Sequence, residues 1–235
     1  MQIISPNKVI RGKHAWEKAL PEILKYCKSP LLLGRSSKTR ALRSSIHKDL
    51  RNLNLNVYSA ELEFDCCEED LTRIYNLAID HNCDSIITAG GGKVLDAGKL
   101  LAEYISAPCI TVPLSAATCA GWTALANIYT TKGKFVKDIK LKSCPKILVC
   151  DHSFINSAPK QTLSSGIADS LAKWYESSIT SSSNKDGIIQ QAIQISRVLR
   201  DQLFIQGEDA YNNPSKDNLA WSNIVEANSL TAGLI

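Results

Sequence analysis

The chain has 235 residues, enough for one large domain or two small ones, and its 44% hydrophobic and 21% charged content is that of an ordinary globular protein. A net charge of +4 with no long basic block argues against nucleic acid as a partner. The start, MQIISPNKVIRGKHAW, lacks a sustained apolar region, and no stretch approaches the roughly 18 apolar residues of a membrane span, so a cytoplasmic protein with no membrane partner is expected.

In chain order, PLLLG (30–34) reads as a buried strand and KTRALRSSIHKDLRNL as the helix behind it. NVYSAEL (56–62) is a second strand, followed by EEDLTRIYNLAIDH with Leu71, Ile74, Leu77 and Ala78 at helical spacing. SIITAG is a third strand, leading into a helix over Gly91–Tyr104; CITVPLS (109–115) is a fourth and KILVCD (146–151) a later one. Strands alternating with helices over short connections predict a parallel sheet covered on both faces. Beyond Asp151 only helical patterns remain: SGIADSLAKWYESSIT, GIIQQAIQISRVLRDQLF and DNLAWSNIVEANSLTAGLI, separated by the polar stretches SSSNKDG and GEDAYNNPSKDN. The expected fold class is therefore α/β, with a Rossmann-like parallel-sheet domain over 1–155 and an incomplete all-helical domain over 156–235. The eight cysteines contain no C-x-x-C pair and read as reduced thiols, Cys109 and Cys150 as small hydrophobes within strands.

AGGGK, from Ala89 to Lys93, joins the third of these strands to its helix. Glycines there let a ligand approach the backbone and leave N–H groups open to it. The helix field disfavours a cation in the first turn, so Lys93 is strained electrostatically unless an anion such as a phosphate meets it. A plain glycine turn with a snorkelling lysine is the other reading, and the pattern is neither G-x-x-x-x-G-K-[ST] nor a G-x-G-x-x-G after the first strand. Asp96 and Lys99 lie one turn apart and can pair.

GGGKVLDAGKLLAEYISAPCITVPLSAATCAGWTALANIYTTKGKF and PKILVCDHSFINSAPKQTLSSGIADSLAKWYES resemble the glycerol dehydrogenase branch of the iron-containing alcohol dehydrogenase superfamily. The similarity lies in GGGK-x-x-D-x-x-K, a V-P strand end, A-L-x-x-I-Y-T, a V-x-D…I…A-P turn and G-x-x-D-x-L-A, and it extends to the closing VEANSLTAGL. Dehydroquinate synthases share the architecture but follow GGG with a D-L-x-G-F pattern that this sequence lacks.

The resemblance implies an oxidoreductase that uses NAD or NADP on a small-molecule alcohol, aldehyde or ketone, with homo-oligomers common among its members. Gly91, Gly92 and Lys93 then contact the pyrophosphate, while Thr118, Thr123, Leu125 and Tyr129 line the nicotinamide half. Without the resemblance, these last four read as strand and loop packing. Family members that use NAD often carry an aspartate after the first strand; here the matching residue is Arg35, followed by Ser36 and Ser37, which could hold a 2′-phosphate or stand in solvent. Where glycerol dehydrogenases carry S-T-D-A-P, with the aspartate on the substrate hydroxyls, this chain has Cys119, which cannot accept from a polyol as a carboxylate does.

The resemblance also implies a divalent metal, zinc or iron, held by one aspartate and two histidines. The aspartate matches Asp169, which by spacing alone would be a surface carboxylate paired with Lys173. On the same helix Leu163, Ile167, Leu171 and Trp174 form the stripe expected to pack. The four histidines (14, 47, 81 and 152) all precede the segment that would supply the two histidine ligands, so the metal site is expected to be incomplete. His152, beside Asp151 and Ser153, carries little weight as a triad. A shortened, impaired enzyme is one expectation; a non-catalytic nucleotide-binding module or degenerate remnant is the other.

Overall fold

A computed structural model describes residues 5–181 and 183–235. Its described residues divide into two compact units, one of residues up to Leu114 with Ala120–Asp151, the other of Ser115–Cys119 with His152–Ile235.

The first unit is built on a six-stranded sheet. Its strands are β1 (Lys8–Gly12), β2 (Pro30–Gly34), β3 (Tyr58–Glu61), β4 (Ser85–Gly90), β5 (Cys109–Pro113) and β8 (Ile147–Asp151), in the order β1-β8-β5-β4-β2-β3 and all parallel. β2, β4, β5 and β8 are buried along their whole length, which explains their unbroken apolar runs. Helices α1 (Ala15–Ile23), α2 (Arg40–Asn52), α3 (Glu68–Asp80) and α4 (Gly92–Tyr104) run alongside it. α3 buries Leu71, Ile74 and Ala78 as its period requires, with Leu77 partly buried against the same core, and carries Glu68, Glu69 and Asp70 where its N-terminal dipole favours them.

Besides α1 and the short helix His152–Asn156, two features escape a sequence reading, an edge strand and a hairpin. β1 is an edge strand whose KVIRG offers two apolar residues among charges, so it carries no buried run. PLLLG is thus the second strand and SIITAG the fourth, each one place later than expected. The other is the antiparallel hairpin of β6 (Leu125–Tyr129) and β7 (Phe135–Lys140), whose outer strand is almost wholly exposed.

The second unit contains α5 (His152–Asn156), α6 (Lys160–Thr180), α7 (Gly187–Asn212) and α8 (Leu219–Ser229), and no strand among its described residues. α7 continues through GEDAYN, so only the second half of that polar stretch is loop. Part of SSSNKDG lies outside the described residues. The buried face of α6 is Leu163, Gly166 and Ser170, not the stripe through Ile167, Leu171 and Trp174, which stay half-buried. Gly166 is selected by close packing: a Cβ there would stand 1.9 Å from the Ala116 carbonyl oxygen.

None of the eight cysteines forms a disulfide among the described residues; seven are buried and Cys83 is half-buried. Burial pushes the thiols of Cys27 and Cys83 up to about 11 and that of Cys109 up to about 12, so they remain protonated near neutral pH.

Candidate functional site

β2 and β4 are neighbours in the sheet, yet the chain leaves β2 for β3 on one side and β4 for β5 on the other. That reversal opens a crevice beyond the carboxyl ends of the two strands. The turn after β2 carries Arg35 and Ser36; the turn after β4 is Gly91 with the start of α4. Together they line a cleft of about 230 Å³ formed by Arg35, Ser36, Thr39 and residues 90–94. Four expected residues, Arg35, Gly91, Gly92 and Lys93, are therefore brought to one place.

Glycine lets α4 start directly on the sheet. A Cβ on Gly90 would stand 2.8 Å from Val94 Cβ, and one on Gly98 would stand 2.5 Å from Thr88 Cβ. Thr88 Oγ1 donates to the Val94 carbonyl at 2.6 Å. Gly91 holds the N-cap position in extended backbone with no side-chain cap, so first-turn N–H groups of α4 have no acceptor within the helix. Such a terminus favours an anion.

The other wall is held from below by Arg43, a buried arginine that the sequence reading missed. It donates to the Ser36 carbonyl at 2.9 Å and to Thr39 Oγ1, and it pairs with Glu61 at the end of β3. It crosses beneath the loop only because residue 34 is glycine: a Cβ there would lie 2.1 Å from Arg43 Nε. Arg43 is thereby neutralised, whereas Arg35 is exposed and has no ion pair among the described residues.

Lys93 finds its counter-charge within the chain. Its ammonium pairs with the buried carboxylate of Asp65 and lies 4.6 Å from the centre of the Tyr129 ring. The Asp65 loop is shaped by Asp70, which accepts from the main-chain N–H groups of Glu63 (3.1 Å), Phe64 (2.7 Å) and Asp65 (3.2 Å). Burial works against the Asp70 anion, but Arg73 and these amides outweigh it and hold its pKa below the ordinary carboxylate value. Nothing in the spacing of EFDCCEED marks Asp65 as a partner of Lys93, 28 residues later.

Asp96 and Lys99 do pair, at 3.0 Å and fully inside the protein. Lys99 also donates to the carbonyl oxygens of Thr123 (3.1 Å) and Leu125, while Asp96 accepts from the Asn127 N–H at 3.2 Å. Burial pushes the Asp96 carboxyl up, with Lys99 and the Asn127 N–H opposing it. This pair fastens β6 to α4 and so fixes Thr123, Leu125 and, at the far end of the strand, Tyr129.

In the second unit Thr118 is half-buried and Cys119 buried, on the segment Ser115–Cys119. Asn228 of α8 donates to the Ala116 carbonyl (3.1 Å) and the Leu163 carbonyl (3.4 Å) and accepts from Ser170 Oγ at 3.1 Å. VEANSLTAGL thus contains the residue that ties this segment to α6 and α8. Asp169 is exposed on α6 and forms no ion pair with Lys173 among the described residues. Desolvation pushes its pKa up, Lys173 opposing and Glu176 adding. His152 is buried, with Nε2 3.2 Å from Glu226 Oε1 and its ring edge-on to Trp221, an arrangement unlike a triad with Asp151 and Ser153. Among the described residues no group of three or more His, Cys, Asp or Glu side chains could hold a metal ion.

A six-stranded parallel sheet with a helical continuation and a glycine turn at the strand-order reversal defines an α/β protein of the dehydroquinate-synthase-like architecture. The sequence profile of iron-containing alcohol dehydrogenases matches residues 6–152, and the chain belongs to that family. An uncharacterized oxidoreductase of Synechocystis sp. is 38% identical over 232 residues, covering 99% of this chain and 59% of its own length. A glycerol dehydrogenase of Escherichia coli O6:H1 is 29% identical over 240 residues, covering 99% and 65%. The crystal structure of glycerol dehydrogenase from Schizosaccharomyces pombe superposes with a TM-score of 0.88 at 27% identity, covering 99% of this chain and 61% of that one. The chain thus spans roughly 60% of the length of these relatives.

Proposed function

We propose that this chain carries the dinucleotide-binding part, residues 1–155, and the beginning of the helical metal and substrate part, 156–235, of an NAD(P)-dependent oxidoreductase acting on the CH–OH group of a small alcohol or polyol. The observation that carries the reading is the uncapped first turn of α4, opening on a cleft it shares, at the strand-order reversal, with an arginine that has no ion pair among the described residues. Main-chain N–H groups at Gly91, Gly92 and Lys93 hold the pyrophosphate, and Thr118, Thr123, Leu125 and Tyr129 serve the nicotinamide half. A bound nicotinamide supplies the hydride acceptor for the carbinol carbon. The residues of this chain bind and orient it.

Arg35, with Ser36 and Ser37 behind it, favours a 2′-phosphate, so NADP(H) is the preferred cofactor. Cys119 is buried and offers no carboxylate to a polyol, which supports a substrate other than glycerol, an alcohol or its aldehyde or ketone. Fluorescence titration with NADPH and NADH separately tests the cofactor. The expected result is tighter NADPH binding, with Arg35→Asp weakening NADPH by about 10- to 100-fold, the value of one lost charged contact and one new repulsion, and leaving NADH little changed. A preference for NADH that ignores Arg35 would overturn it.

Asp169 is a single donor, and a catalytic zinc takes about three protein ligands, so the described residues do not fit a complete zinc or iron site. The donor set favours a second reading, in which these 235 residues alone act as a nucleotide-binding module without turnover. A cytoplasmic setting and association with a second copy belong to the same proposal; no helix among the described residues is long and apolar enough to cross a membrane.

A further inference from the structure

Lys93 occupies a first-turn position where the helix field opposes a cation, and a phosphate bound at that terminus would be expected to draw the ammonium to itself. The side chain turns elsewhere. Asp65 is buried, with a side chain 2% exposed; one oxygen accepts from the Cys66 N–H at 2.8 Å and the other takes the Lys93 ammonium. The Cys66 carbonyl accepts from the Tyr129 N–H at 2.8 Å, so one short loop fixes both the carboxylate and the aromatic ring that flank the ammonium. Asp70 braces that loop through three main-chain N–H groups.

We propose that Asp65 is a positioning residue for the dinucleotide. It draws the Lys93 ammonium onto the Tyr129 ring and cancels its charge, so the pyrophosphate is held by main-chain N–H groups of the first turn of α4, a grip weak enough to release it. This rests on the reading of the cleft as the cofactor site. Lys93 is 39% exposed at its side chain, so it has room to swing toward the cleft once its partner is gone.

Calorimetric titration with inorganic pyrophosphate, and with NADPH in parallel, tests the assignment. Asp65→Asn is expected to bind pyrophosphate about tenfold tighter than wild type and to lose that gain as salt is raised, because a released, solvent-exposed ammonium adds an attraction that salt screens. Lys93→Met in the wild-type chain is expected to change pyrophosphate affinity by less than about threefold, yet to abolish the gain in the Asp65→Asn background, the coupling a double-mutant cycle reads. A purely structural Asp65 would instead give a lower melting temperature with weaker or unchanged binding and no added salt dependence. That outcome overturns the inference. So does a tenfold or greater loss in Lys93→Met alone, which also decides the matter if Asp65→Asn does not fold. Failure of the wild type to bind either probe overturns the cofactor reading and this inference together; binding by wild type with an indifferent Asp65→Asn overturns the inference alone.

Discussion

Gly166→Ala sets helix propensity against close packing. In a helix interior alanine is favoured over glycine by about 1 kcal/mol, and α6 continues for 14 residues beyond this position, to Thr180. The new Cβ, however, would stand 1.9 Å from the Ala116 carbonyl oxygen and 2.5 Å from Asn228 Nδ2. Ordinary C···O contacts lie near 3.3–3.6 Å, so segment and helix must part by about 1.4 Å or more. Parting them stretches the 3.1 Å hydrogen bond from Asn228 to that same carbonyl, inside a buried site. Overpacking costs about 1–3 kcal/mol and a stranded buried polar group about as much again, leaving a net loss of about 1–5 kcal/mol after the propensity gain. Gly207→Ala is the matched control: its Cβ would meet only Ile167 Cδ1, at 3.6 Å, so the propensity term stands and stability rises by about 0.5–1 kcal/mol. Urea denaturation followed by far-ultraviolet circular dichroism compares the two. A Gly166→Ala midpoint at or above wild type would refute the packing argument.

Lys99→Met strands the Asp96 carboxylate inside α4 and frees the carbonyls of Thr123 and Leu125, so a loss of about 3–5 kcal/mol is expected from the same denaturation experiment. Asp70 titrates the other way from a buried acid left alone, since its folded pKa is lowered. The stability it contributes is therefore present above the unfolded pKa of about 3.9 and lost as pH falls through the folded value; the gap between wild type and Asp70→Asn is expected to be constant from pH 7 to 5 and to close below about pH 4.

Elements with a continuous buried run or a clean helical period were legible in the sequence. PLLLG, SIITAG and KILVCD announce buried parallel strands because both faces are covered, and EEDLTRIYNLAIDH shows its inner face by spacing. KVIRG and FVKDIK do not, because one is a short edge strand and the other an exposed hairpin arm, where solvent leaves the residue choice open. For the cleft, AGGGK could be named from local pattern, as a glycine turn at a strand end, whereas Arg35 was named only through the family resemblance. Asp65, Arg43 and Asn228 could not. Their partners lie 28 residues away for Asp65 to Lys93, 18 for Arg43 to Glu61 and 112 for Asn228 to Ala116, and only the folded chain brings them together. The α6 stripe was misjudged for a related reason: a helical wheel ranks residues by hydrophobicity, whereas Gly166 is buried for its lack of a side chain.

Calorimetric titration of this chain with NADPH and NADH is the most direct test of the cofactor cleft. One dinucleotide bound per chain, displaced by excess inorganic pyrophosphate, is the predicted result. The absence of any heat of binding at millimolar dinucleotide, with the protein folded by circular dichroism, would contradict it.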